Sequence, residues 1–426
     1  MTVPTDTHDA RRYSLGEIES ARSRHMWTRS TVHATADRIA VGEWDGTVTT
    51  LDPNSLEPRW SVDHPDHAVG IETLEPTGTV VVAGRGETGS IVAYDAETGE
   101  KRWQYDTVED VGRAIDDTIF SQPYVVAIET DDGGDDVGCY AAARRYERDG
   151  ETRQWHSTVF AFDSDGTVRW RYETDGSSIS IDLDDTGERL AVGYNRCPGG
   201  HDHGLVVLET ATGDPEWAWD PGTPGDRRVG DVSFDGDSIA AASHGDKRGY
   251  LLGPGGTEQW RVDLAVETEL DGETLYAYPN HVYASDGRVA FVTGNTYATE
   301  SRETENRHPN EHRLMTFDAG GDRLWDAEIR GFAHGIDADD GTIVAPCAQN
   351  FRVRDPETHA VRWFDLGTGV GGIQRLEGIA TAAAIDGRTI ATIEEPVEYH
   401  DETCVRGDYA LQLTPLTDLP EPTPTR

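Results

Sequence analysis

Residues 93–103 read AYDAETGEKRW: the end of an apolar strand, an Asp-x-x-Thr-Gly turn, and a tryptophan four residues beyond the glycine. Asp and Thr side chains accept backbone N–H groups inside a tight turn, and Gly takes the positive φ that closes it. The tryptophan then favours a second strand. The unit is therefore strand, turn, strand, and it recurs. Segments of this kind end at Trp60, Trp103, Trp170, Trp217, Trp260, Trp325 and Trp363, at steps of 43, 67, 47, 43, 65 and 38 residues. A period near 40–45 residues is that of one four-stranded propeller blade. The two long steps hold insertions, read as loops at 131–156 and roughly 294–311.

Between these hairpins lie further strand pairs, at 179–194, 231–243 and 334–346, each with an Asp/Gly turn. The repeat is thus A–B–C–D, with tryptophan on strand D. Strand C occurs once more, in YALQLTPL (409–416), with no D strand after it. At the other end ARSRHMWT offers an unpaired strand ending in Trp27. Joining the two leaves no sticky edge. The expectation is an all-β fold: a single eight-bladed β-propeller of WD40-like, four-stranded blades, its last blade closed by the N-terminal strand. Residues 1–20 are expected to be a flexible segment, 21–416 the propeller, and 417–426 a disordered Pro/Thr-rich tail.

AYDAETGEKRW fits Ala-x-Asp-x-x-Thr-Gly-x-x-x-Trp, the tryptophan-docking motif of pyrroloquinoline-quinone (PQQ)-type propellers, at every fixed position. Over roughly residues 27–416 the chain resembles the PQQ-like repeat family, which includes quinoprotein dehydrogenases and the BamB-type assembly scaffold. The motif describes blade packing and is nearly silent on chemistry. The resemblance to the dehydrogenases implies a quinone held against a vicinal Cys-Cys disulfide, with calcium nearby. Here no two of Cys139, Cys197, Cys347 and Cys404 are adjacent, so PQQ is not expected. No Gly-x-Ser-x-Gly elbow or Walker loop appears either.

The chain has 37 basic and 79 acidic residues, a formal charge of −42 over 426 residues, and only Lys101 and Lys247 are lysines. Such a surface repels itself at ordinary salt and is screened at molar salt, where the Debye length is about 3 Å. The composition resembles that of a salt-in haloarchaeon. Duplex nucleic acid is excluded as a partner class, because phosphate neutralisation needs a basic face. No apolar run suits a membrane helix. The first 27 residues contain no apolar segment, so the expected location is the cytoplasm and the expected state a monomer.

Chemistry-bearing residues gather in the loops. The cysteines are read into B–C loops, together with His156, His201, His203, His244, His308, His312 and His400, and all B–C loops of a propeller emerge on one face. Cys197, His201 and His203, with His400 and Cys404, have spacings compatible with a transition metal. Blade order favours Cys139 with Cys197 and Cys347 with Cys404 as disulfide or redox pairs; ordinary loop residues are the third reading. The D–A loops open on the same face. His67, Arg113, Arg227, Arg228 and His334 lie at or just before strand A and are candidates to ring the channel mouth, where arginine forks suit an anion or acidic peptide. The preferred function is a non-catalytic scaffold binding a protein or peptide partner through this face. The alternative is a metal- or thiol-dependent enzyme using its Cys/His-rich loops.

Overall fold

The computed structural model describes the chain except residues 1–4, 7–9, 23–29, 132–137, 302–303, 349–353, 400–403 and 417–426. The architecture is all-β, a succession of four-stranded antiparallel meanders. The first comprises Thr31–Ala34, Ile39–Gly42, Thr47–Leu51 and Pro58–Asp63. Further meanders span residues 67–106, 124–174, 177–219, 229–263, 273–328 and 337–375. The strand ladders of the second and third meet at a single Tyr124–Arg85 pairing. A last sheet is built from Ile379–Asp386, Thr389–Glu395, Ala410–Pro415 and, from the other end of the chain, Arg11–Ser14.

Burial peaks on the middle strands B and C and falls off on the outer strand. Strand B of the second meander, TVVVAGR, is buried throughout, whereas strand D, KRWQYD, has no fully buried residue. Strands covered on both faces read as continuous apolar runs. Hydrophobic clusters weld each sheet to the next. Val81, Ile91, Val125 and Phe160 join the second to the third, and Val32, Ile39, Ile393 and Leu411 join the first to the last.

The tryptophan motif is an inter-sheet joint. Trp60 donates its indole N–H to the carbonyl of Ala96 in the next sheet's C–D turn at 2.9 Å, and Trp103 does the same to Ser164 at 3.1 Å. Asp95 accepts from the N–H groups of Glu97 and Thr98, and Gly99 closes the turn at φ +73°. A second joint lies near the axis, where innermost strands have a free edge. Asp182 accepts from Phe234 N–H, Asp231 from Val282 N–H and Asp337 from Ile385 N–H, each reaching the next sheet. These bonds satisfy edge donors that would otherwise lack partners.

Some sequence expectations need correction. The outer edge of Ala410–Pro415 is taken by Arg11–Ser14, with Tyr13 opposite Leu411, and not by the strand ending in Trp27. Trp27 lies outside the described residues. The stretch 1–20, expected to be flexible, thus contains a paired strand: the alternating Tyr13 and Leu15 pack toward the cluster around Leu411. Trp363 stands on strand C, Ala360–Asp365, opposite Val344, not on strand D. The true C–D turn of that sheet follows it, with Asp365 accepting from Thr368 N–H, and Ile373 sits where the docking tryptophan would be. The supposed loop 131–156 is mostly strand: Gly138–Asp149 and Thr152–Asp163 form a long hairpin.

Candidate binding site at the channel mouth

At the end where the B–C and D–A connections emerge, a cavity of about 890 Å³ opens on the central axis. Its wall comes from the ends of strands A and B of successive sheets. Arg85 closes strand B of the second meander, Tyr124 opens strand A of the third, and Arg144 stands on strand B beside it. Tyr124 lies between two cations, its ring centroid 4.6 Å from the Arg85 guanidinium carbon and 5.7 Å from that of Arg144. Arg85 also holds the D–A loop, donating Nε and Nη2 to the carbonyl of Ile119 at 3.1 and 2.7 Å. That loop carries Phe120, 44% exposed, into the cavity wall. Farther round, Arg227 lies 4.6 Å from the centroid of Tyr278 and donates Nη1 to Asn195 Oδ1 at 3.1 Å.

Among the described residues no carboxylate is within ion-pair distance of Arg85, Arg144 or Arg227, whereas the neighbouring Arg145, Arg196 and Arg228 are each paired. Burial pulls Arg144 down to about 10 and lowers Arg85 and Arg227; an arginine stays charged at neutral pH. The histidines behave oppositely. Burial drives His244 to about 3 and His334 to about 4, so both rings are neutral. Both ring nitrogens of His244 and Nε2 of His334 are buried without hydrogen-bond partners. Gly230 makes room for the first ring: a Cβ there would stand 2.2 Å from His244 Nε2.

Of the residues expected at the mouth, Arg227 and His334 line the cavity. Arg228 turns aside to Asp220 at 2.6 Å, and His67 stacks on Trp44 at 3.9 Å. Arg113 is exposed and outside the cavity lining. Sequence reasoning did not place Arg85, Tyr124, His244 or Tyr278 at the mouth. The available signal was positional: polar or aromatic residues ending strand B or opening strand A.

Cys139, Cys197 and Cys347 are buried free thiols, and the described residues contain no disulfide. Cys139 starts its B strand, whereas Cys197 follows the end of one, so they occupy opposite ends of their sheets. Cys347 is buried in an inter-sheet core and Cys404 is exposed. Burial pushes the thiols of Cys139 and Cys197 up to about 12 and raises Cys347. These three are therefore protonated and poor nucleophiles at neutral pH. Of the proposed metal ligands, Cys197, His201 and His203 are neighbours, the two imidazole ring centroids 6.0 Å apart. Cys197 donates to the His203 backbone carbonyl at 3.3 Å, and His201 packs on Tyr194. His400 lies outside the described residues, among which no group of three His, Cys, Asp or Glu side chains is arranged to hold a metal. The donor set does not fit the quinone-and-calcium arrangement that the resemblance implies: Cys197, a thiol near the mouth, is buried, and it has no vicinal partner.

Comparison with known proteins bears on the fold. A family model of PQQ-type repeats, described as outer membrane protein assembly factor BamB, matches residues 14–243 and 152–364. A quinohemoprotein alcohol dehydrogenase of Comamonas testosteroni is 25% identical over 238 residues, which are 50% of this chain and 30% of that protein's length. Among solved structures, BamB from Moraxella catarrhalis superimposes with a TM-score of 0.56 at 14% identity, covering 96% of this chain and 99% of its own. Saccharomyces cerevisiae Sqt1 gives 0.61 at 11% identity, covering 96% and 98%. These structural likenesses concern the fold alone.

Proposed function

The chain belongs to the PQQ-like repeat family of β-propellers described as outer membrane protein assembly factor BamB, and from that premise we propose that it is a non-catalytic scaffold. It binds a protein partner through the face bearing the B–C and D–A loops. The observation carrying this reading is the set of arginines at the mouth without carboxylate partners, in a chain of net charge −42. With so many carboxylates available, leaving buried guanidinium groups unpaired costs stability unless another molecule supplies the anion. The raised thiol pKa values give no support to a thiol-dependent enzyme.

As part of the same reading, the meanders form an eight-bladed ring closed by Arg11–Ser14. The cluster shared by Val32, Ile39, Ile393 and Leu411 supports closure.

The test is hydrogen exchange on the protein alone and with a co-purified partner, both in molar KCl. Protection confined to the amides around 112–123, 195–204 and 225–230 is expected. Protection confined to the C–D turns, at the other end of the molecule, defeats the assignment of the face.

A further inference from the structure

What the partner presents to the mouth is legible in the order of its surfaces. One wall is the Arg85–Tyr124–Arg144 stack. Another is Arg227 over Tyr278, with His244 and His334 beside it. Two residues below Tyr124, on the same face of its strand, Val126 joins Val69 and Ile179 in an apolar patch of the cavity lining.

The cationic walls keep donors in hand. Among the described residues Arg144 engages Nη1 alone, on Ser177 Oγ and the Ser178 carbonyl. Arg227 engages Nη1 on Asn195, which leaves Nε and Nη2 among the described residues. A free guanidinium fork is shaped for a carboxylate. The neutral rings of His244 and His334 add uncharged polar atoms, with Nε2 of each buried and without a hydrogen bond among the described residues.

Candidate occupants differ in what they satisfy. A bare inorganic anion satisfies an arginine and leaves the apolar patch wet. A cation is repelled by both walls. A nucleic acid polyanion is repelled by the surrounding surface of a chain at −42. A short segment whose acidic side chains flank an apolar or aromatic one satisfies the arginine walls, the patch and the tyrosine faces together. We propose that the channel mouth receives such an acidic–apolar segment of the partner protein, its carboxylates held by Arg144 and Arg227 and its apolar side chain set against Val69, Val126 and Ile179. This inference rests on the partner-binding reading and adds the chemistry of the partner.

The experiment titrates the full chain, in molar KCl, with fluorescein-labelled Asp-Leu-Asp-Phe-Asp-Leu-Asp and its amide counterpart Asn-Leu-Asn-Phe-Asn-Leu-Asn, read by anisotropy. The acidic peptide should saturate the protein, and the amide peptide should bind roughly tenfold more weakly or worse. Arg144→Gln and Arg227→Gln should each weaken the acidic peptide by about tenfold. Arg102→Gln, near the C–D turn at the other end, should leave it unchanged. Circular dichroism checks that each variant is folded, and Arg227, the less buried of the two, keeps the test available if Arg144→Gln does not fold. Equal binding of the two peptides, or wild-type affinity in both Gln variants, overturns the inference. Citrate binding as tightly as the peptide overturns it in favour of a small-anion site. Failure of both peptides, with exchange protection by the partner still on the mouth face, overturns the acidic segment alone; protection elsewhere removes the parent reading.

Discussion

A methyl group on Gly99 has nowhere to go. Its Cβ would stand 2.8 Å from the Trp60 ring, and φ is +73°. Gly99→Ala should therefore lower stability by about 1–3 kcal/mol, through overpacking and left-handed strain together. Denaturant unfolding in molar KCl measures this. Titratable residues give a second prediction. Burial first, then neighbouring Asp231, Asp185 and Asp184, raise Asp182 to about 7. Because the folded-state value exceeds the unfolded one, Asp182 favours folding fully below about pH 4. That contribution fades as the pH rises through 7. Asp182→Asn should consequently stabilise the protein at pH 8 and change little at pH 4. Equal effects at both pH values, seen in paired thermal melts, count against the protonated carboxyl. The turn carboxylates act in the opposite sense. Asp52 is held near 2, chiefly by the Ser55 N–H, so its contribution is lost as pH falls. The docking motif was readable at residue scale because Asp, Thr, Gly and Trp each have a local geometric duty. The mouth was less readable, because Arg85 and Arg144 differ from the paired Arg145 only in their three-dimensional neighbours.

Strand elements carry the next prediction. Arg11–Ser14 supplies the outer strand of the last sheet, in register with Ala410–Leu413. Tyr13→Pro removes a backbone donor and forces φ where a ladder is needed, at a cost of about 1–3 kcal/mol. It should lower the melting temperature and promote aggregation through the exposed edge of Ala410–Pro415, as light scattering would detect. Unchanged stability would show that closure does not depend on this strand. At this scale, periodic patterning made strands A and B legible in several repeats. It pointed to ARSRHMWT and passed over RRYS, an equally short stretch with a single apolar-bodied residue, Tyr13. The hairpin of Gly138–Asp149 and Thr152–Asp163 was hidden for a related reason. Its outer half, RRYERDGETRQW, is charged on both sides of the turn and carries a loop-like composition although it continues the ladder. Misplacing that hairpin moved Cys139 to the wrong end of the sheet and suggested a disulfide that the topology forbids.

The whole molecule is governed by charge. At −42 the fold is expected to weaken at low ionic strength and to gain stability toward molar KCl, where screening shortens to about 3 Å. A melting temperature that rises steadily with KCl is the expected outcome; a flat one contradicts the self-repulsion argument. The same charge gives the mouth its contrast, since unpaired arginines there face a chain otherwise rich in carboxylates. Site-specific photocross-linking tests the central claim most directly. A photoreactive residue at Phe120, in the mouth wall, is compared with one at Leu324, similarly exposed at 43% on an outer strand. Both proteins are irradiated in their native host at its working salt. The account predicts a discrete protein adduct from position 120 and none from position 324. Adducts from position 324 alone would contradict it.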